Sequence, residues 1–233
     1  MANHINFSMP DGELRCLIGP NGAGKTTFFN LVTGIVRPFM GNIYFMGQKI
    51  SNYPSYKIAR LGISRSFQVS NIYNGLSVFE NIRIAVHRKF ETFNPFRSIW
   101  VRDEIYNKVV NILETFHLSS KKDFPASTLS HGEKRKLELG ISVAYDPKLL
   151  LLDEPAAGLT TSETEELIPL IKGISSKKVS ILIIEHDMKF VKIIADRITV
   201  LHRGEILAEG SPEEIEENED VKNIYLGGKQ DWY

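Results

Sequence analysis

The run Gly19-Pro20-Asn21-Gly22-Ala23-Gly24-Lys25-Thr26 has the spacing G-x-x-x-x-G-K-T. Glycines at these places let backbone N–H groups close around phosphate oxygens, because no Cβ blocks the approach. Lys25 brings a point charge suited to β- and γ-phosphates, and the Thr26 hydroxyl suits Mg²⁺. A glycine-rich turn can match this pattern by chance, so its context matters. An apolar stretch, Leu14-Arg15-Cys16-Leu17-Ile18, precedes it, and a helical pattern runs from Thr26 to Val32. Strand, loop and helix are the setting the motif requires, with the positive end of the helix aimed at the same anion. The loop implies a nucleotide and leaves the task open.

Four other places carry candidate chemistry. Leu149 to Leu152 is an apolar run ending in Asp153-Glu154. A carboxylate at the tip of a buried strand suits Mg²⁺, and an adjacent Glu suits an attacking water. A surface acidic pair is the plainer alternative, weakened by the leucines, which place the pair where α/β sheets bind ligands. Leu129-Ser130-His131-Gly132-Glu133 precedes a helical pattern from Lys134 to Ala144. By itself this segment reads as a capping box, Ser130 with Glu133, and secondarily as an anion site at a helix start. Ile181 to Ile184 ends in Glu185-His186-Asp187, which would set an imidazole at another strand tip. Gln68 lies between the loop and a long helical block, where a side-chain amide could reach a metal or water.

The elements that must position these groups follow from patterning. Two short apolar runs separated by helical segments predict a parallel sheet buried on both faces. Strand and turn signals surround Gly41 to Phe45 and Gly47-Gln48. Helical spacing runs from Val78 to about Leu118, broken between Phe90 and Ser98 by Pro95. Phe90, Phe93, Phe96 and Trp100 read first as helix packing, with lining of a partner groove by a share of them as the alternative. Ser211-Pro212-Glu213-Glu214 starts a helix, with Ser as cap, Pro in the first position and acids in the first turn.

Composition narrows the class. Hydrophobic residues make up 42% of 233, enough for a core. Lys+Arg and Asp+Glu are both 28, so bulk electrostatics give no reason to expect nucleic acid as a partner. Cys16 is the only cysteine and reads as a small buried hydrophobe in a reducing compartment. No apolar run approaches a bilayer span, and Met1-Ala2-Asn3-His4 lacks a signal-peptide layout, so a membrane role would come through a partner.

Taken in order, the glycine-rich loop, Gln68, Leu129 to Glu133, Asp153-Glu154 and His186 resemble the nucleotide-binding cassette of ATP-binding cassette (ABC) transporters. The resemblance covers nearly the whole chain. It implies an α/β fold: a P-loop NTPase (RecA-like) core with a parallel sheet, a small antiparallel β portion and an inserted α-helical subdomain. Residues 1–233 would form one nucleotide-binding domain, with the core about 1–77 and 139–233 and the helical subdomain about 78–138. Gly19 to Thr27, including Thr27 itself, would bind ATP, and Thr26, Gln68 and Asp153 would hold Mg²⁺. Glu154 would be the catalytic base, His186 the switch histidine and Gln68 the residue reporting to the helical block. Ser130 and Gly132 would face the γ-phosphate of a second cassette, identical or a sister chain. The implied partners are membrane permease subunits and, indirectly, an extracellular or periplasmic solute-binding protein. The implied location is the cytoplasmic face of the membrane.

Finer features are similar to the importers of branched-chain amino acids and urea. They are Leu61 to Gln68, Asp153-Glu154-Pro155-Ala156-Ala157-Gly158-Leu159, Glu185-His186-Asp187-Met188 and Ile224-Tyr225-Leu226-Gly227. Ser130-His131-Gly132-Glu133 and Gly158-Leu159-Thr160 lean toward urea or short amides, while the longer helical block with Asn94-Pro95 leans toward amino acids. Other readings are a lipid or polysaccharide exporter ATPase, a soluble ABC ATPase of ribosomes or DNA repair, and a weakly nucleotide-binding regulatory cassette. Two departures stand out. Only eighteen residues precede Gly19, and no aromatic occupies the family's adenine-stacking place; Phe7 reads as core. Either a true start lies upstream or adenine is held weakly. Thr160 stands where many cassettes carry Asp, in the loop linking two sites.

Overall fold

The computed structural model describes residues 3–66, 72–89, 98–175 and 179–226. Strand β1 (Leu14–Ile18) is buried along its length and delivers the chain to the glycine-rich loop. Helix α1 (Lys25–Val32) begins at the lysine of that loop. Strands β2 (Tyr44–Phe45) and β3 (Gln48–Lys49) form a small antiparallel ladder of their own. Helix α2 (Ser55–Leu61) ends on Gly62, and β4 (Ile63–Ser66) follows directly.

Helices α3 (Val78–Lys89) and α4 (Ser98–Thr115) realise the helical spacing read between Val78 and Leu118. Phe90, Phe93 and Phe96 lie outside the described residues, and Trp100 falls within α4. Helix α5 (His131–Val143) starts three residues before Lys134, because Ser130 caps it. Then come β5 (Leu149–Asp153), α6 (Thr161–Ser175), β6 (Ser180–Ile184) and α7 (Met188–Ile194). Strands β7 (Arg197–His202) and β8 (Glu205–Gly210) form a hairpin. Helices α8 (Pro212–Glu217) and α9 (Glu219–Leu226) follow, with Ser211 capping α8 and Pro212 in its first turn.

The main sheet runs β4-β5-β6-β1-β7-β8. From β4 to β7 every pairing is parallel, and β8 adds antiparallel to β7. Parallel pairing puts the carboxyl ends of β1, β5 and β6 on one edge. That edge therefore gathers the glycine-rich loop, Asp153-Glu154 and His186, the usual ligand edge of open α/β sheets.

The continuous apolar runs are explained by burial on both faces. Side chains alternate along each strand. Leu14, Cys16, Ile18, Leu150, Leu152, Ile181 and Ile183 face a core shared with α3 to α7, while Leu17, Leu151, Leu182 and Ile184 pack with Phe28, Phe29 and Ile58. Burial pushes the Cys16 thiol far up, with Glu185 and Asp196 adding to the shift. Phe7 packs edge-on to Phe28 at 5.0 Å, and the Arg15 guanidinium lies 5.0 Å from its ring. A groove of about 980 Å³ runs between this N-terminal segment, α1 and the β2–β3 ladder. Among the described residues no helix is long and apolar enough to cross a membrane.

Candidate active site

Gly19 opens the loop with φ +150, and a Cβ there would stand 2.1 Å from the Leu201 carbonyl oxygen. Only a residue without a side chain lets β1 turn that close to β7. Lys25 is buried, and its Nζ donates to the carbonyl oxygens of Gly19 (2.5 Å) and Pro20 (3.1 Å). Burial holds the ammonium below its ordinary pKa, with the charges of Glu154 and Asp153 opposing that shift. Residues 21–27 line a cavity of about 230 Å³ together with Glu154, Ile184 and His186. The loop, Glu154 and His186, far apart in sequence, thus share one space.

Glu154 sits just past the end of β5 with φ 49, a conformation uncommon for a side-chain-bearing residue and found preferentially at functional sites. The surroundings hold it there. Its N–H donates to the Ile184 carbonyl (2.9 Å), and its own carbonyl accepts from Arg135 Nη2 (3.1 Å). His186 Nε2 lies 2.8 Å from Glu154 Oε1, with the imidazole donating to the carboxylate. The buried Glu185 carboxylate accepts from the N–H groups of Ala156 (2.8 Å) and His186 (3.0 Å). It therefore ties the turn after Glu154 to the turn bearing His186. Burial raises its pKa above the ordinary value, the three amides of Ala156, His186 and Asp187 oppose that, and the Glu154 charge adds to it.

Asp153, at the end of β5, is 4% exposed in its side chain, and its Oδ2 accepts from Arg65 Nη2 at 2.8 Å. Among the described residues no group of three or more His, Cys, Asp or Glu could hold a metal alone. The donor set that remains, the Thr26 hydroxyl and the Asp153 carboxylate beside a phosphate cradle, is all oxygen. It fits Mg²⁺, which is commonly held by one or two carboxylates, water and substrate phosphates.

Ser130 and Gly132 stand apart. Neither lines the cavity. Ser130 forms a capping box with Glu133, each accepting from the other's backbone. The Gly132 N–H donates to Glu163 Oε1 (3.1 Å), and a Cβ on Gly132 would come within 2.6 Å of that oxygen. Glu163 also accepts from the Thr160 backbone N–H and hydroxyl, so it fastens the start of α6 to the start of α5. Gln68 lies outside the described residues.

Sequence reasoning missed Arg65, Arg135, Glu163 and Glu185. A signal existed for two of them. Arg65 sits within Ile63-Ser64-Arg65-Ser66 and Glu185 follows Ile181 to Ile184, and a charge inside or abutting a buried strand demands a partner.

Comparisons with known proteins give the family and the fold. Residues 2–157 match the ABC transporter family, and residues 205–231 match the branched-chain amino acid ATP-binding cassette transporter family. The chain is similar to a nucleotide-free ATP-binding cassette from an ABC transporter, with a TM-score of 0.83, 28% identity, and 96% of this chain and 92% of that one covered. It is also similar to the ADP conformation of MJ1267, an ATP-binding cassette of an ABC transporter, with a TM-score of 0.80, 29% identity, and coverage of 93% and 89%. The chain belongs to the ABC transporter family and is an ATP-binding, ATP-hydrolysing subunit. Two relatives are the high-affinity branched-chain amino acid transport ATP-binding proteins BraF of Pseudomonas aeruginosa and LivG of Escherichia coli K12. They are 39% identical over 232 residues and 40% over 234, each alignment covering 97% of this chain and 91% of the relative.

Proposed function

We propose that this chain powers uptake of branched-chain amino acids through membrane permease subunits, bound to them at the cytoplasmic face. The solute follows from its relatives and from the family matched at residues 205–231. The chemistry rests on one observation, the shared cavity of the glycine-rich loop, Glu154 and His186.

In this reading Lys25 trades the Gly19 and Pro20 carbonyls for the phosphate oxygens of ATP, and residues Gly19 to Thr27 supply amides around them. Thr26, Asp153 and Gln68 would hold Mg²⁺. When bound, the ion neutralises phosphate charge in the transition state. Glu154 takes a proton from the attacking water, and His186 orients Glu154 through the 2.8 Å contact. Ser130 and Gly132 act on the nucleotide of a second cassette, identical or a sister chain, because in their own chain they lie outside the cavity. A twofold pair then carries two equivalent sites. A solute-binding protein would act indirectly, through the permease.

The test is uptake of labelled leucine and labelled urea by cells carrying this chain or its Lys25→Ala variant. Loss of leucine uptake alone is expected. Loss of urea uptake alone would overturn the assigned solute, and retention of both would remove the transport reading.

A further inference from the structure

Arg65 stands where β4, β5 and α1 meet. Parallel pairing sets Arg65 opposite Leu151 and Ser66 opposite Leu152, so the guanidinium reaches along the strands to the tip of β5. There Nη2 donates to Asp153 Oδ2 at 2.8 Å, and Nη1 donates to Asn30 Oδ1 at 2.7 Å. The guanidinium lies 5.3 Å from the centre of the Phe29 ring. Its side chain is 8% exposed and that of Asp153 is 4% exposed, so the pair is shielded from bulk water. Phe29 and Asn30 belong to α1, the helix that begins with Lys25 and Thr26.

We propose that Arg65 is a positioning residue for the divalent ion: it fixes one oxygen of the Asp153 carboxylate and locks its orientation to the helix that carries Thr26. The physical reason is the planar fork of the guanidinium. Two of its nitrogens point to two acceptors in one plane, so α1 and the tip of β5 are held at a set separation. With Oδ2 engaged by Arg65, the other oxygen of Asp153 would be turned toward the metal or its water. A lysine would keep the charge and lose the fork. Partners of metal-bearing carboxylates act in this way, and their removal typically weakens metal affinity about 10- to 100-fold. This inference rests on Asp153 being the metal carboxylate.

The experiment measures the affinity of the purified chain for AMP-PNP, with saturating Mn²⁺ and with EDTA, alongside thermal unfolding without nucleotide. The ratio of the two affinities is the gain due to the metal. Arg65→Met should cut that ratio by about tenfold or more while leaving the EDTA affinity nearly unchanged. Arg65→Lys should recover part of it, and Asn30→Ala should show a smaller loss. If Arg65→Met does not fold, Arg65→Lys and Asn30→Ala carry the test. A lowered unfolding temperature with an unchanged ratio in these variants would overturn the proposal, because Arg65 would then only brace the fold. Asp153→Asn separates the two readings. If it abolishes the metal gain while the Arg65 variants retain theirs, only the Arg65 inference fails. If Asp153→Asn keeps the gain, the metal role of Asp153 fails first.

Discussion

At the scale of single residues, the active site is a set of charges placed where burial makes each one costly unless paired. Lys25 is satisfied by loop carbonyls, Asp153 by Arg65, and Glu185 by backbone amides. Glu185 gives a pH prediction. Its pKa is raised in the folded chain, chiefly by burial, above the ordinary carboxylate value of 4.5. The folded state therefore binds this proton more tightly than the unfolded state does. The resulting stabilisation is fully present below pH 4.5 and is lost as pH rises through the higher folded value. Glu185→Gln removes this titration. Thermal midpoints followed upward from pH 4.5 should fall less steeply in the variant than in the parent, other groups being common to both. Equal slopes would show that Glu185 does not titrate in that window. This residue was legible in the sequence only as a charge beside an apolar run. Its partners, Ala156 and His186, come from two different strand ends, and only the sheet brings those together.

At the scale of elements, helix starts do two jobs. The capping box of α5 satisfies backbone donors that any helix leaves open. The same turn carries Ser130 and Gly132, the residues proposed to reach a second nucleotide. The two jobs are separable. Ser130→Ala should cost about 1 kcal/mol through the lost cap. In a chain of this size that is a drop of about 2–4 °C in thermal midpoint. If Ser130 also contacts nucleotide, ATP hydrolysis measured with the permease present should fall well beyond what that small instability explains. A lower midpoint with normal turnover would leave Ser130 as a cap only. The capping box was readable because it is local: Ser130 and Glu133 are three residues apart. The bond from Gly132 to Glu163 spans 31 residues and depends on how α6 returns against α5.

At the scale of the whole molecule, one chain holds half of each proposed site. The glycine-rich loop, Glu154 and His186 share a cavity, and Ser130 and Gly132 line no part of it. The proposed second cassette would supply the complement. Glu154→Gln keeps the shape of the base and loses its basicity, so hydrolysis should fall about 10²- to 10⁴-fold while ATP remains bound. Light scattering of that variant should then show a dimer with ATP and a monomer with ADP. A monomer in both, with ATP binding demonstrated, would mean that a sister cassette is required or that the two-copy site is wrong. Mixing with the sister chain decides between those.

The amino-acid sequence by itself determined the features that need only neighbours along the chain. These are the phosphate loop with its strand and helix, the doubly buried strands and the caps at Ser130 and Ser211. Periodicity, glycine placement and capping pairs act over a few residues, so they are visible in a linear string. Tertiary structure decided which strands became neighbours. The order β4-β5-β6-β1 sets Arg65 on Asp153 across 88 residues and His186 on Glu154 across 32. Each of those pairs satisfies a charge at the sheet's ligand edge, and no local rule names its partner. The partner is fixed by the sheet's pairing register, which the packing of apolar faces selects.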